Sequence, residues 1–399
     1  MFDNIVFNRR ELAGALGDLG TLLPIAIAMV VVNGLNPLGL FFSIGIFYIA
    51  SGIYFNVTVP VQPMKVIGAY AIATGMSAEQ ILASSLLMGV LLLLIGATGA
   101  IDLIRRWTPK SVIRGVQLST GALLMAGGVK FIIGTSNIQA LQNIAEPYLS
   151  LQTIGPLPIG IIIGIVGCIL TLYLLDNKKF PAGLVVVFGG MALGLLLGKD
   201  VNLLPERWSI HVPEFLPFAF PQKADFTFAL LFLVLPQIPM TIGNAVIAYT
   251  DLSRDYFGDR AKRLTNRKVC ISMALANFFS FVFGGMPLCH GAGGLAAHYR
   301  FGARTAGSNI MIGITFLLLV LVLGSNVVEF FNLLPMSILG VLLLFAGIQL
   351  ALSIMDLDER KDFFVTLLIL GITLASNLAA GFIAGIFSAN LLRWKKLSI

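Results

Sequence analysis

Long apolar runs, most of them near 20 residues, follow one another along almost the entire chain with only short polar breaks between them. A helix needs about 20 predominantly apolar residues to cross the hydrocarbon layer. The pattern therefore predicts spans near 12–32, 37–56, 57–75, 79–103, 112–134, 156–175, 181–198, 226–250, 268–283, 284–298, 305–324, 328–353, 362–376 and 377–393, fourteen in all. Only the stretches near 134–155, 199–225 and 251–267 are polar over any length. Residues 1–399 thus read as one all-α polytopic membrane domain with no soluble domain. Composition agrees: 57% of the residues are hydrophobic and 11% charged, against about 25% charged in soluble domains. So few charges do not cover a soluble surface, which argues against a cytosolic enzyme, a nucleic-acid-binding protein or a secreted disulfide scaffold.

Charge placement orients the spans. The net charge is +7. With the N-terminus inside, one face receives Arg9, Arg10, Arg105, Arg106, Lys110, Arg114, Lys178, Lys179, the basic run from Arg254 to Lys268, Arg300, Arg304, Arg360, Lys361, Arg393, Lys395 and Lys396. The other receives Lys199, Arg207 and Lys223, while Lys65 and Lys130 fall in apolar surroundings. This positive-inside bias places both termini in the cytoplasm and suits an inner (cytoplasmic) membrane. No cleavable signal precedes the first span, since Arg9, Arg10 and Glu11 lead into an apolar stretch that carries Asp18. Cys168, Cys270 and Cys289 are far apart in sequence, so neither a CxxC metal or redox motif nor a disulfide framework is expected.

Two of the predicted spans are interrupted. In Asn56 to Gly75, Pro60 and Pro63 cannot both lie inside one continuous helix, whereas Pro63 suits the first turn of a new one. Phe279 to Tyr299 has the same character: an aromatic run, a proline (Pro287), then a short helix of small residues. The helices that open the two halves also match, GDLGTLLPI (Gly17 to Ile25) and LPQIPMTIGNAV (Leu235 to Val246). Seven spans per half is an odd number, so the second copy runs upside down. The expectation is a 7+7 inverted repeat, with short extended stretches and half-helices in spans 3 and 10 and a binding site between them at mid-membrane.

Two facing half-helix N-termini, each carrying about half a positive charge, make an anion site. Lys65 falls in the first turn of the first half-helix, where a bound anion would neutralise it; together the three sum to roughly two positive charges, which suits a dianion. Snorkelling, or pairing with Asp18, is the other reading of Lys65. Thr21, Gln62, Gln237, Thr241 and Asn244 supply neutral donors near the breaks. His290 opens the second half-helix, as a substrate donor, a proton-coupling group or a structural side chain. Asp18 is the acid deep in the first span, and intramembrane acids are functional by default. The candidate substrate-binding set is therefore Thr21, Gln62, Pro63, Met64, Lys65, Gln237, Asn244, Cys289, His290, Gly291 and Ala292, with Asp18 and His290 as coupling candidates and no metal or cofactor expected. Cys289 by itself reads as a small packing residue, and GAGG (Gly291 to Gly294) as a place of close approach. The spacings GIIIG (Gly160 to Gly164), GMALGLLLG (Gly190 to Gly198) and GFIAG (Gly381 to Gly385) read as helix-packing stripes or a homodimer face.

GDLGTLLP, VPVQPMK, PQIPMTIGNAV and GGMPLCHGAGGLAAHYRFGART together resemble the molybdate-transporter family of the sulphate-permease (SulP) superfamily, over nearly the whole chain. The resemblance implies a core subdomain (1–104 and 226–324) working against a gate subdomain (105–225 and 325–399) in alternating access. It also implies transport of a tetrahedral oxyanion, molybdate first and then sulphate; tungstate is a further candidate anion, and the choice of a proton or sodium as a coupling ion stays open. Two departures stand out: the chain ends at Ile399 without the C-terminal STAS domain of ordinary sulphate permeases, and its eighth span has Gln237 and Asn244 but no acid. A nucleobase or bicarbonate-type permease of the same architecture and a passive anion channel are the competing readings. An intramembrane enzyme built on Cys289 and His290 is disfavoured, because neighbours on a helix point about 100° apart.

Overall fold

The computed structural model describes residues 5–101, 109–175, 177, 180–198 and 211–392. Arg105, Arg106, Lys178, Lys179, Lys199, Arg207, Arg393, Lys395 and Lys396, used above to orient the chain, lie outside the described residues. The helices of eight or more described residues are α1 (Arg9–Leu16), α2 (Leu19–Asn33), α3 (Pro37–Phe55), α4 (Lys65–Thr74), α5 (Ala78–Thr98), α6 (Lys110–Ile133), α7 (Ile159–Leu174), α8 (Ala182–Leu197), α9 (Lys223–Arg263), α10 (Asn266–Val282), α11 (Ala292–Phe301), α12 (Ala306–Leu323), α13 (Met336–Ala351), α14 (Arg360–Ala375) and α15 (Leu378–Leu391). Four two-residue strands accompany them: β1 (Gln62–Pro63), β2 (Thr153–Ile154), β3 (Leu157–Pro158) and β4 (Leu288–Cys289).

Each apolar segment read from the sequence contains helix. By length and apolar composition six helical stretches among the described residues are able to cross a membrane, and α1 with α2, bent by 46° at their junction, makes a seventh. The shorter apolar helices α4, α7, α8 and α15 run 10–17 residues. The outward faces remain apolar, as at Val166, Ile169, Leu172, Leu196 and Phe387, which fits a surface wetted by lipid rather than water.

Local chemistry sets the ends. Asn36 caps α3 by accepting from the Leu38 amide, with Pro37 at the first helical position. Ser77 and Gln80 form a reciprocal capping box at α5. The proline-rich span is continuous, as α9, and π-helical segments at Ala229–Val234 and Thr241–Ala248 flank the turn that holds Pro236 and Pro239. Proline removes an amide from the ladder, and the wider π turns absorb the mismatch.

In the interior, α3 packs along α12, α5 along α10 and α6 along α13. The last pair approaches most closely, on glycines that the sequence reading passed over. A Cβ on Gly121 would sit 2.6 Å from the Gly347 carbonyl oxygen, and one on Gly128 would sit 2.5 Å from that of Gly340. The stripes named from sequence pack within the chain, Gly164 on Ile132, Gly190 on Ile338 and Gly385 on Ile369.

Two extended segments cross between these helices, and their backbone groups are accounted for individually. β1 and β4 pair antiparallel, Gln62 opposite Cys289 and Pro63 opposite Leu288, and the Met64 amide donates to the Pro287 carbonyl at 2.9 Å. Asn309 stands in for a neighbouring strand: its Oδ1 accepts from the Val59 amide at 2.9 Å and its Nδ2 donates to the Val59 carbonyl at 2.7 Å. Asn277 does the same for Leu288, at 3.2 and 2.9 Å. The Pro60 carbonyl accepts from His290 Nδ1 and the Val61 carbonyl from the Tyr48 hydroxyl. Substituting Asn309→Leu leaves the Val59 N–H and C=O buried and unpaired, at a cost of about 1–3 kcal/mol per group. The melting midpoint in detergent should fall by several degrees; an unchanged midpoint would contradict this role.

Candidate functional site

The bend between α1 and α2 places Asp18 at the start of α2, buried, where its carboxylate Oδ1 accepts from Gln62 Nε2 at 2.6 Å. The other oxygen, Oδ2, and Gln62 Oε1 are both buried without a hydrogen-bond partner. Lys65, the first residue of α4, exerts a coulombic pull on Asp18, yet no carboxylate among the described residues lies within 4.0 Å of its ammonium. Snug glycines fix this arrangement. A Cβ on Gly291 would fall 1.9 Å from Gln62 Oε1, and one on Gly294 would fall 2.6 Å from Asp18 Oδ2. At Gly293 the space is open.

The two half-helix ends are not equivalent. At α4 the amides of Val66 and Ile67 donate to Gln237 Oε1 at 3.0 and 3.2 Å, and Gln237 Nε2 donates to Thr241 Oγ1. Gln237 thus acts as a cap supplied by another helix. At α11, which follows Gly291, no acceptor among the described residues meets the amides of Ala292, Gly293 and Gly294. The expected symmetric contribution of two open helix ends is therefore replaced by one open end, at α11.

A cavity of about 590 Å³ lies against these groups. Its lining includes Asp18, Thr21, Gln62, Lys65, Asn244 and Gly293, together with Gln117, Thr171, Gly183, Phe345, Gln349 and Ser353. It extends to Leu175, Arg300 and Ser353, beside the ends of α7, α11 and α13 and the start of α6. There Arg114 Nη2 meets Asp356 Oδ2 at 2.5 Å and Arg114 Nη1 donates to Gln117 Oε1 at 2.7 Å. The Arg114 guanidinium holds the Asp356 carboxyl below the usual aspartate range.

Of the residues named from sequence, Thr21, Gln62, Lys65, Asn244 and Asp18 line the cavity. Gln237 supports α4 from behind, while Pro63, Met64, Cys289, Gly291 and Ala292 build the paired strands and the two helix starts. His290 is turned away. It is fully buried, with Nδ1 donating to the Pro60 carbonyl at 2.9 Å and Nε2 3.1 Å from Ser272 Oγ, and it stacks between Phe47 and Tyr249. Cys289 Sγ lies 3.7 Å from the Pro63 carbonyl oxygen rather than against His290. Gln117, Gln349 and Ser353 were missed by the sequence reading. Their signal was available, as amides and a hydroxyl within the predicted spans VIRGVQLSTGALLM and LLLFAGIQLALS.

The family model for "Molybdate transporter of MFS superfamily" matches residues 10–124 and 229–350. The chain belongs to the molybdate transporter family. This member is 32% identical to Molybdate transporter 2 of Arabidopsis thaliana, over 97% of its own length and 88% of that protein's. It is 31% identical to Molybdate transporter 1 of the same plant and 29% identical to Molybdate transporter 1 of Chlamydomonas reinhardtii. Among solved structures, the transmembrane domain of the cyanobacterial bicarbonate transporter BicA superposes with TM-score 0.66 at 16% identity, covering 96% of this chain and all of that one. Murine Slc26a9, an anion transporter described in its inward-facing state, gives 0.66 at 14% identity over 98% of this chain and 69% of that one. The fold of this family member is thus that of the SLC26 and sulphate-permease transporters, and it is an integral membrane protein.

The glycine geometry separates support from contact. Gly294→Ala forces Asp18 and Gln62 apart and should lower the melting midpoint, whereas Gly293→Ala, entering open space, should leave it within a degree or two. Equal midpoints for the two variants would contradict the described packing.

Proposed function

We propose that this protein is a secondary transporter of a tetrahedral oxyanion, molybdate first and sulphate second, which binds where Lys65 and the open α11 amides meet in the cavity. One observation carries the reading: an ammonium with no carboxylate within 4.0 Å and a helix N-terminus with no acceptor, both among the described residues, contribute Lys65 and Gly293 to the lining of one cavity. Both favour negative charge, and Thr21, Asn244 and the Gln62 amide add neutral groups around it. The relatives named for molybdate supply the substrate class.

The transport step in this reading is movement of a core (1–104 and 226–324) against a gate (105–225 and 325–399). In support, the cavity is lined by residues of both sets, Lys65 and Asn244 from the first and Gln117 and Gln349 from the second. Fourteen segments forming two inverted copies of seven are part of the same proposal. Support comes from the antiparallel β1–β4 pair, and from α3 on α12 and α5 on α10, which exchange partners under such a two-fold. With the basic residues facing the cytoplasm, the termini are cytoplasmic and the cavity reaches toward that side.

Asp18 is the proposed coupling group. Its Oδ2 is buried without a hydrogen-bond partner; Lys65 and Arg300 line the same cavity, and Lys65, Tyr48 and Cys289 are close enough to couple to it electrostatically. An ionised Asp18 offsets Lys65, and a proton taken up with the dianion removes that offset. His290, held at both ring nitrogens, lacks the free atom this role needs.

Calorimetric titration of the purified protein tests both parts. Molybdate and tungstate should compete for one site, sulphate more weakly, and bicarbonate or uracil not at all. Lys65→Ala removes a charge-assisted contact of about 1.5–3 kcal/mol and should weaken molybdate binding 10- to 100-fold. Binding to the wild type should tighten as pH falls, and Asp18→Asn should flatten that dependence; sodium dependence in place of pH dependence would assign the coupling to a metal cation instead. If none of the oxyanions binds, the substrate assignment fails.

A further inference from the structure

A second cavity, of about 460 Å³, opens on the outer face of the bundle between α3 and α10. Its walls are apolar: Ile46, Ala50 and Tyr54 from α3, with Ile271, Leu275 and Phe279 from α10. Ala50 and Ala276 keep it deep by leaving space between larger neighbours. At one end stands Lys268, exposed, and no carboxylate among the described residues lies within 4.0 Å of its ammonium. Arg267 is exposed beside it, and Arg263 donates from Nη1 to the Tyr54 carbonyl at 3.1 Å, tying the basic segment to the end of α3.

The dimensions say what fits. Thr265 caps α10 just before Lys268, so Lys268 marks the edge of the apolar layer. From Lys268 to Phe279 the helix rises about 16 Å at 1.5 Å per residue. One leaflet of a bilayer hydrocarbon core is about 15 Å thick, half of roughly 30 Å. The groove therefore runs the depth of a single leaflet, with a cation where that leaflet's headgroups lie. Such a site is amphipathic in the sense of a lipid and unsuited to a small polar solute, which would leave the apolar length unfilled.

We propose that this groove is a binding site for one anionic glycerophospholipid, with an acyl chain between α3 and α10 and its headgroup phosphate on Lys268, assisted by Arg267. The floor of the groove gives the site a consequence. Ser272 and Phe47, which line it, are also the side chains that hold His290, through the 3.1 Å contact to Nε2 and the ring stack at 4.7 Å. His290 in turn holds the Pro60 carbonyl of the extended segment. A lipid in the groove thus presses on the support of the broken span, and an empty groove leaves that support open to the bilayer.

Purified protein stripped of lipid in neutral detergent provides the test, read by native mass spectrometry and by melting midpoint. Titration with phosphatidylglycerol should give one retained lipid and raise the midpoint by several degrees, while phosphatidylcholine gives a smaller shift and inorganic phosphate none. Lys268→Ala should weaken phosphatidylglycerol binding at least fivefold without lowering the midpoint of the lipid-free protein, because the side chain is exposed. Ala276→Trp, which fills the groove, should abolish retention of the lipid; if that variant does not fold, Lys268→Ala alone decides. Equal effects of the two lipids, an unchanged affinity in Lys268→Ala, or reproduction of the shift by free phosphate would each overturn the proposal.

Discussion

A polypeptide that leaves the helical conformation inside a membrane must find partners for its backbone, because lipid offers none. The structure meets this requirement at two places at once by crossing one extended segment against the other. β1 and β4 satisfy part of the need mutually, and side chains from other helices complete it. Asn309 and Asn277 each present an amide that acts as a further strand, and His290 and Tyr48 donate to the carbonyls of Pro60 and Val61. Everything at the candidate site hangs from this crossing, since α4 and α11 begin where the strands end.

The crossing also explains why the two half-helices differ. α4 begins against the π-distorted helix α9, whose Gln237 reaches its first amides. α11 begins at Gly291, against the Gln62 side chain, and its first amides stay open. The positive potential of the pocket is therefore uneven, concentrated on Lys65 and the α11 end and opposed by Asp18.

Much of this was legible in the residues. Prolines at 60, 63 and 287 marked the breaks because proline cannot continue a helical ladder, and a lysine in an apolar run had to serve some purpose. Gln62, Lys65, Thr21 and Asn244, singled out by that reasoning, are among the residues that line the cavity. Other features were not legible. His290 sits in the most distinctive motif, yet its ring serves the backbone of the opposite segment; one residue's difference in strand register decides which face a side chain takes, and sequence spacing does not reveal it. Gln237 was read as a ligand donor and is a helix cap, because its target lies about 170 residues away. Gln117 and Gln349, which line the same cavity, look like any tolerated amide until the fold brings them there. The tight α6–α13 crossing rests on glycines spaced seven apart, a period that the search for shorter stripes passed over.

The central claim is that a dianion sits against Lys65 and the first amides of α11, and the most direct measurement is an experimental structure with tungstate, whose tungsten scatters strongly enough to be located on its own. The account places a single tungsten within hydrogen-bonding reach, through its oxygens, of Lys65 Nζ and the Gly293 amide. Tungsten at the Arg300 end of the cavity alone, or outside the cavity altogether, would contradict it.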